Sequence, residues 1–418
     1  MCKTLTLYWM LAVLSGLCGT GCDALLGPLP SDDEILEGPI EGLTGAQLRS
    51  FAHGDQAFGE LFSAATGLGP VFNAPSCDSC HPGDGKGPPS LNLTRFGRGD
   101  ASDATRFDYL VELGGAQLQD RAIPGYVAEV LPAGVATSLR SGPVVVGLGY
   151  IEAISDEEIL KNADPMDLNG DGISGRANYI RVPHFLDVPD NCVCPGCKLT
   201  AQGCMRLARF GRKATAIDLQ QQTVGAYQQD MGITSEQLMQ DLFNPQVGQA
   251  TGDAIADPEV SASTVSSVVF YLRTLRAPRR RNRADPSVQR GERLFSEVGC
   301  AACHIPTLRS GASSLEVLRD QDVGLYSDLL LHDMGSVLAD YYPEGEATGF
   351  EWRTTPLWGL GIVPNLLGGH AYYLHDGRAR TLLDAIMLHG GEAQRSKDRF
   401  TALPPDEQEA LLAFLRSL

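Results

Sequence analysis

A five-residue pattern, Cys-x-x-Cys-His, occurs twice in this chain of 418 residues, at residues 77–81 and 300–304. Two thiols at this spacing can each add across a vinyl group of one porphyrin, and the adjacent His can then bind the iron, which is typical of c-type haem attachment. The alternative is a zinc or disulfide pair of Cys with a chance His beside it. Because the whole pattern recurs, the sequence predicts two covalently bound haem c groups, attached and ligated by Cys77, Cys80, His81, Cys300, Cys303 and His304.

Length and composition limit the class of protein. A chain of this length suits two or three domains, and an apolar content of 43% is enough to build buried cores. A net charge of −18 and a pI near 4.8 argue against a protein that binds nucleic acid or an anionic membrane surface. The same acidity would favour a small basic redox partner, although acidic surfaces are usually only solvated.

The N-terminus has the composition of an export signal. Lys3 is followed by the apolar stretch 5–17, which is too short to span a bilayer as a stable helix. The residues up to Cys22 resemble the cleavage box of bacterial lipoproteins, although Gly19 stands where Leu is usual. We therefore expect residues 1–22 to be a signal peptide that ends in lipidation of Cys22, with plain cleavage as the alternative. Either route leads to the bacterial periplasm, and the first also anchors the protein to a membrane.

An acidic segment with several prolines follows the signal peptide, over residues 23–46. Such a composition is typical of a tether between an anchor and a folded body. Ordered structure is expected to begin near Gln47.

The remaining sequence is internally duplicated. Four further pairs of similar segments accompany the two motifs in the same order, namely 59–63 with 291–296, 143–149 with 356–361, 211–215 with 377–381 and 270–275 with 413–418. Self-similarity at this scale indicates two copies of one fold. Amphipathic helices at the ends of each copy predict a mainly α chain of two tandem cytochrome c-like domains, the first with a long insertion. We place the domains at 47–276 and 286–418, with an Arg-rich linker at 277–285 that is either solvated or in contact with a haem propionate.

The insertion contains a calcium-like loop. Asp167, Asn169 and Asp171 present oxygen donors at alternate positions before a Gly, and Ile173 would add its carbonyl. The twelfth position holds Asn178 in place of the bidentate Glu of an EF-hand, so the match is partial. A tight turn without a metal is the alternative.

The insertion also contains a cluster of four cysteines, at Cys192, Cys194, Cys197 and Cys204. In an exported protein such a cluster predicts disulfides, and a four-thiolate metal site is the alternative. The sequence cannot choose among the three pairings of four cysteines.

The second half carries a family resemblance. After residues 300–304 it reads His-Asp-Met-Gly at 332–335, Arg-Thr-Thr-Pro at 353–356, His-Asp-Gly-Arg at 375–378, and Thr-Leu at 381–382. This series resembles bacterial dihaem cytochrome c peroxidases and the methylamine dehydrogenase maturation enzyme. It also resembles their relatives, the di-haem oxidoreductases labelled as peroxidases or thiol oxidoreductases. The resemblance extends from about Gln47 to the end of the chain.

The resemblance implies that the second haem is closed on both faces. The slot that holds a Met in the peroxidases holds His389 here, with Met387 and Met334 as alternatives. Ligation by two imidazoles would lower the reduction potential relative to His/Met, because a thioether stabilises ferrous iron better. A surface or core role for His389 is the alternative. His332, His370 and His375 are interpreted as structural or propionate-binding.

The resemblance implies that the first haem is open. In the peroxidases a distal Gln and a distal acid lie over the free iron face, and the matching helix here carries Gln222 and Asp230. Asp is one methylene shorter than the Glu of the family. A solvated helix face is the alternative for both residues. The side chains that could cap the iron in a resting state are His53, His184 and Met166.

Taken with the resemblance, these residues predict a peroxidase-like enzyme. It would reduce hydrogen peroxide, or use it to oxidise another substrate, with electrons passing between two haems. The electron partner would be a small c-type cytochrome or a cupredoxin. A dihaem electron-transfer protein without catalysis and a thiol oxidoreductase using the Cys192 cluster are the competing readings. Trp352 and Trp358 are either relays for an electron hole or packing residues.

Overall fold

The computed structural model describes residues 36–187, 192–193, 196–201, 203–248 and 252–418. Its α-helices, numbered in chain order, are α1 (Gly45–Phe58), α2 (Cys77–Cys80), α3 (Leu148–Ala153), α4 (Asp156–Leu160), α5 (Leu219–Met231), α6 (Ala262–Thr274), α7 (Pro286–Glu297), α8 (Gly335–Leu338), α9 (Val363–Leu366), α10 (Leu382–Leu388), α11 (Gln394–Thr401) and α12 (Pro405–Ser417). No helix in these ranges combines the length and apolar character needed to cross a membrane.

Short antiparallel strands lie between the helices. They are β1 (Val71–Phe72), β2 (Leu93–Gly99), β3 (Phe107–Asp108), β4 (Arg121–Ala122), β5 (Ala136–Arg140), β6 (Asn178–Arg181), β7 (Cys197–Thr200), β8 (Gly203–Ala208), β9 (Leu308–Arg309), β10 (Asp322–Val323), β11 (Leu331–Asp333) and β12 (Glu351–Arg353). Within the described residues, two sheets have the orders β3-β2-β5 and β6-β8-β7, and three are pairs, β1-β4, β10-β9 and β11-β12. The fold is therefore a mixture of helices and small sheets. The prediction of a mainly α chain holds only for the helices at the ends of each half.

Two pairs of crossing helices form the cores of the two halves. Helix α1 packs on α6, and α7 packs on α12. At the first crossing a Cβ on Gly54 would lie 2.2 Å from the carbonyl oxygen of Ser267. At the second crossing a Cβ on Gly291 would lie 2.0 Å from the carbonyl oxygen of Ala410. Each crossing therefore requires a residue without a side chain.

The crossings correct the register of the first predicted repeat. Phe58 and Phe295 each follow the crossing glycine by four residues. Each ring also lies near the His of the next motif, with ring centroids 6.2 and 6.4 Å apart. The equivalent of Gly291 is thus Gly54, so the pairing of 59–63 with 291–296 is wrong by five residues. The close contact between the two helices identifies Gly54 as the equivalent of Gly291, whereas similarity of the sequence alone did not.

Two other predicted pairings have matching contacts. A Cβ on Gly149 would lie 2.0 Å from the carbonyl oxygen of Arg273, and one on Gly361 would lie 2.1 Å from that of Arg416. The core of the first half also includes Leu325, Leu330 and other residues of the second half. Accordingly, contacts do not divide the chain at 277–285, and Leu36–Leu418 form one unit. The division into two tandem domains stays a prediction.

Ordered contacts begin well before Gln47. Leu36 and Ile40 are buried, and Pro39 forms a β-bridge with Leu275. The C-terminal part of the segment expected to be a tether therefore packs on the folded body, because its apolar side chains find a core to enter. Residues 1–35, including Cys22, lie outside the described residues.

The Arg-rich stretch binds protein groups. Arg280 forms an ion pair with Glu292 at 2.6 Å, and its guanidinium carbon lies 4.9 Å from the ring centroid of Phe414. Arg281 donates a hydrogen bond to the carbonyl oxygen of Arg416 at 2.6 Å. Arg280 and Arg281 therefore hold the C-terminal helix in place, while Arg279 and residues 282–285 are exposed. The role of 277–285 as a linker stays a prediction.

We expect Gly291→Ala to destabilise the holoprotein by about 1–3 kcal/mol, because the added methyl group overlaps the backbone of α12. Gly225 provides a matched control, since a Cβ there meets nothing within 4 Å in the middle of α5. Gly225→Ala should stabilise the protein by about 0.5–1 kcal/mol. Guanidinium unfolding of both variants measures the difference, and equal effects would show that the crossing tolerates a side chain.

Candidate haem sites

The two motifs lie in short helical turns, and their thiols are free. Ser76 caps α2 by accepting a hydrogen bond from the backbone N–H of Ser79 at 3.0 Å. The second motif forms a 3₁₀ turn, Cys300–Ala302, after Gly299 at φ +95°. The motif thiols, of Cys77, Cys80, Cys300 and Cys303, are not in disulfides. Burial raises the pKa of Cys77, Cys80 and Cys300 to about 12 and also raises the pKa of Cys303. The four thiols are therefore protonated and not in disulfides, and Cys303 contacts His332 Nδ1 at 3.7 Å.

Three imidazoles share one arrangement. The Nδ1 atom of His81 lies 2.7 Å from the carbonyl oxygen of Pro143, that of His304 2.9 Å from Tyr326 O, and that of His389 2.7 Å from Ala385 O. A carbonyl can only accept, so Nδ1–H donates and the Nε2 lone pair stays available for a metal. Burial lowers the pKa of all three, to about 4 for His304. The three predicted iron ligands are therefore neutral and oriented as iron ligands require.

His332 is bonded at both ring nitrogens. Its Nε2 lies 2.8 Å from Asp328 Oδ2, and its Nδ1 lies 2.7 Å from Glu392 Oε2. Burial alone would lower its pKa, but its hydrogen bonds with Asp328, Cys303 and Glu392, in which the ring N–H groups donate to the two carboxylates, raise the pKa to about 12. A doubly protonated imidazole has no lone pair for a metal. This geometry supports the structural role expected of His332.

Most of the other sulfur and imidazole candidates are exposed. His53, His184 and His370 are exposed, and Met166 is 79% exposed. Met387 is 45% exposed and accepts a hydrogen bond from Thr401 at 3.9 Å. Met334, by contrast, lines the same cavity as His389. Met334 is thus the alternative ligand that the structure keeps near the second motif.

A cavity of 260 Å³ adjoins the second motif. Its walls include Cys300, Cys303, His304 and His389, and they are mostly apolar. After burial, His389 also lowers the pKa of His304 electrostatically. The cavity suits an apolar ring bound through two thiols and held between two imidazoles.

Three buried cations line the same cavity. They are Lys86, Arg212 and Arg353, each less than a tenth exposed. Lys86 donates to Leu374 O, Arg212 to Ser141 O at 2.8 Å, and Arg353 to Gly211 O at 2.9 Å. In the described ranges none of the three has a carboxylate within 4 Å. Buried cations without counter-ions are costly, and the two propionates of a haem would supply the missing negative charges.

Helix α5 carries the polar groups near the first motif. It begins after Asp218, whose side chain accepts from the backbone N–H of Gln221 at 2.8 Å, and ends at Gly232 at φ +71°. Tyr227 and Thr223 are buried on this helix, and their hydroxyl oxygens have no hydrogen-bond partner among the described residues. Because buried hydroxyls are normally paired, these atoms fit a site that is completed by a bound polar group.

Asp230 is held near the first pair of cysteines. Its Oδ1 accepts a hydrogen bond from Gln117 Nε2 at 2.8 Å, and its charge raises the pKa of Cys77 and Cys80 after the larger effect of their burial. Burial raises the pKa of Asp230 itself, against the lowering effects of Gln117 and Arg95. Asp230 is therefore a carboxyl group with raised proton affinity beside the first motif.

Gln222 lies on the same helix, eight residues before Asp230. At 1.5 Å per residue the two Cα atoms are about 12 Å apart along the helix axis. The charge of Asp230 acts on Cys77 and Cys80. The distal role of Gln222 stays a prediction.

The sequence missed Gln117, Thr223 and Tyr227. The hydroxyl groups of Thr223 and Tyr227 could have been identified from their spacing to Asp230, because residues i, i+4 and i+7 share one face of a helix. Gln117 is 113 residues from Asp230, and no sequence pattern connects them.

The segment after β5 connects the two sites. Pro143 accepts the hydrogen bond from His81 and also lines the cavity of the second motif. The backbone N–H of Ser141 donates to His375 O at 2.9 Å. The His375 ring stacks on Trp352, with centroids 3.7 Å apart, and burial with nearby cations lowers its pKa to about 2. Covalent and hydrogen-bonded contacts therefore run from His81, the predicted ligand of the first iron, to the cavity beside the second motif.

The calcium-like loop contacts the second cavity. Asp171 Oδ1 accepts from Ile173 N at 2.8 Å, and Asp167 accepts from Gly172 N at 3.1 Å. Asn169 Oδ1 accepts from Asp171 N at 2.8 Å. Ile173 itself lines the cavity. These turns describe the loop, and calcium binding there stays a prediction.

The cysteine cluster forms disulfides, as predicted. Cys192 is bonded to Cys204, and Cys197 is also disulfide-bonded. Cys194 lies outside the described residues. Because sulfurs in disulfides are not thiolates, they are not ligands for a zinc-type site.

Comparisons with known proteins complete the picture. A search of curated proteins found no match. A solved structure of hydrazine synthase from Kuenenia stuttgartiensis, pressurized with 20 bar xenon, is 15% identical and covers 94% of this chain and 95% of its own, with a TM-score of 0.39. Similarity at this level does not establish a shared fold. The family model described as "Di-haem oxidoreductase, putative peroxidase" matches residues 124–418. The first motif precedes the matched segment, whereas the second motif and His389 lie within it. This chain belongs to the di-haem oxidoreductase family.

Proposed function

We propose that this protein is a dihaem c-type oxidoreductase of peroxidase type, which reduces hydrogen peroxide or uses it to oxidise another substrate. One observation carries the proposal: the two sites are unequal. At the second site His304 and His389 line one cavity, and the Nδ1–H of each donates to a backbone carbonyl oxygen. At the first site His81 is accompanied by a buried carboxyl group, Asp230.

The residues present fit two haems. Cys77 and Cys80 would attach the first and Cys300 and Cys303 the second, while the buried cations beside the second cavity would pair with propionates. Bound haem supplies one-electron redox chemistry and, where one face is open, a position for peroxide. Two such centres would let a two-electron substrate exchange electrons with a one-electron partner.

Asp230 would transfer the proton. As a carboxylate it would accept a proton from hydrogen peroxide and return it to the oxygen that leaves as water, and such general acid–base catalysis contributes about 10²–10⁴-fold. Its raised pKa suits both steps, because proton donation requires affinity closer to neutral pH. Gln117 would hold the carboxyl group in position through its hydrogen bond to Oδ1.

The thiol reading receives less support. Cys192 is 8% exposed and is bonded to Cys204, so a dithiol substrate has little access to this sulfur. A dihaem protein that only transfers electrons is the other outcome of the experiment below.

We expect Cys77→Ser/Cys80→Ser to retain one thioether-linked haem and to lose peroxide turnover at least about 100-fold, because serine cannot form the thioether and the first site carries the chemistry. Pyridine haemochrome analysis counts the haems, and an optical and EPR titration with peroxide follows the open site. Cys192→Ser/Cys204→Ser is the matched control and should keep both haems and full turnover. If both irons of the unaltered protein are low-spin and do not react with peroxide, the protein is an electron carrier without peroxidase activity. Loss of activity in the control alone would favour thiol chemistry.

Location and partners are proposals from the sequence. We infer export to the bacterial periplasm with a lipid anchor on Cys22, which incorporation of a palmitate analogue tests. The net charge of −18 supports a small basic c-type cytochrome as electron partner, with a cupredoxin as the alternative.

A further inference from the structure

Three acidic side chains meet between α5 and α6, and a fourth lies beside them. Ligand oxygens of Asp241, Asp257 and Glu259 lie within 4.8 Å of one another. Asp253 adjoins them, since its backbone N–H donates to Asp241 Oδ2 at 3.1 Å. Asp241 is 7% exposed, although carboxylates are seldom buried without a partner.

Three carboxylate oxygens in this cluster are buried and unpaired. Asp241 Oδ1, Asp253 Oδ2 and Glu259 Oε1 have no hydrogen-bond partner among the described residues. The other carboxylate oxygen of Asp241 and of Asp253 does accept a hydrogen bond. Asp241 Oδ2 accepts from the backbone N–H of Asp253, and Asp253 Oδ1 accepts from the backbone N–H of Ile255 at 2.6 Å. The side chains are thus oriented by the backbone while one oxygen of each stays without a donor, which is costly unless a cation is present.

The electrostatic neighbours of the cluster are acidic. Burial, and then Asp257 and Asp253, raise the pKa of Asp241 to about 6. Burial raises the pKa of Glu259 to about 7, and Asp241 and Asp253 add to the effect. The charged groups that act on these two carboxyls are other carboxylates, so the cluster repels itself when fully ionised.

We propose that Asp241, Asp253, Asp257 and Glu259 bind a calcium ion. An all-oxygen set of carboxylates is the ligand type of hard divalent cations. Calcium–oxygen distances of about 2.3–2.6 Å allow ligand oxygens up to about 5 Å apart. The ligand oxygens of Asp241, Asp257 and Glu259, which lie within 4.8 Å of one another, meet this condition. Magnesium binds at about 2.0–2.1 Å in strict octahedral geometry and retains several waters, so it fits this four-carboxylate group less well.

The ion would hold the end of α5 to the start of α6. Thr234, three residues after α5, donates its hydroxyl proton toward Asp257 Oδ1 at 2.6 Å and its backbone N–H to Glu259. Ser235 forms a parallel β-bridge with Val260. The Cβ position of Gly67, in the segment before the first motif, is 2.6 Å from Glu259 Cγ. Calcium would therefore stabilise the part of the fold that carries Asp230.

The test uses the holoprotein after chelator treatment. Equilibrium dialysis with ⁴⁵Ca should find one fewer calcium per chain in Asp241→Asn/Glu259→Gln than in the unaltered protein. Calcium at a hundredfold excess over its Kd should raise the unfolding midpoint of the unaltered protein by about 5 °C, and this rise should be absent in the variant. Asp167→Asn/Asp171→Asn, in the other loop, is the control and should keep the rise.

The unfolding midpoint of Asp241→Asn/Glu259→Gln without calcium shows whether this variant folds. Because it removes two buried negative charges, its calcium-free form should melt no lower than the calcium-free unaltered protein, with an unchanged haem spectrum. Unchanged calcium stoichiometry in the variant would overturn the site. Equal stabilisation by magnesium at the same concentration would overturn the assignment to calcium.

Discussion

Asp230→Asn should lower kcat/KM for hydrogen peroxide by about 10²–10⁴-fold while both haems stay bound. The amide keeps the shape and the oxygen that accepts from Gln117, but it cannot accept and return a proton. The second site does not depend on this residue, so its optical spectrum should be unchanged. Steady-state turnover with a chemical electron donor measures the loss.

The pH dependence gives an independent test of the same role. Since burial raises the pKa of Asp230, the carboxylate form is lost on acidification at a higher pH than for an ordinary Asp. Turnover of the unaltered protein should therefore fall as the pH decreases through that raised pKa. The fall should be absent from the residual activity of Asp230→Asn.

Two variants control this prediction. Asp322→Asn makes the same chemical change in a 74% exposed side chain and should leave turnover unchanged. Gln222→Leu tests the other predicted distal residue, and a loss there with full activity in Asp230→Asn would transfer the role to Gln222. Full activity in both Asp230→Asn and Gln222→Leu would show that neither predicted residue of helix α5 takes part in the reaction.

His389→Met should raise the reduction potential of the second haem by on the order of 100 mV, within the roughly 0.8 V that axial ligands span. The reason is that a thioether stabilises ferrous iron better than an imidazole does. His389 directly follows α10, and its Nδ1–H donates to the carbonyl oxygen of Ala385 in that helix at 2.7 Å, which orients the ring. A potentiometric optical titration of the two haems measures the shift.

His389→Ala should convert the second haem from low spin to high spin, because one axial ligand is removed. Met334→Leu and Met387→Leu are the matched controls and should leave the potential and spin state unchanged. A shift in the Met334 variant with none in the His389 variants would show that the sulfur, which also lines the cavity, is the ligand.

The acidic cluster and the network around Asp230 show what the sequence could not predict. Asp241 and Glu259 are separated by a loop, and their unpaired oxygens appear only once the chain has folded. Gln117 reaches Asp230 across 113 residues. The repeat register failed for a related reason, since Gly54 was identified as the partner of Gly291 only by the close contact of two helices.

The sequence by itself predicted the covalent chemistry of this protein. Two Cys and an adjacent His within five consecutive residues predict haem attachment and proximal ligation, and the resemblance around them predicts His389 as a further ligand. Only the tertiary structure decided how the sites differ. Burial, tautomers and unpaired charges, such as the Nδ1 bonds of the three imidazoles and the cations Arg212 and Arg353, depend on groups far apart in the chain that fold into contact. Local spacing can specify which atoms react, but their proton affinity and access depend on everything packed around them.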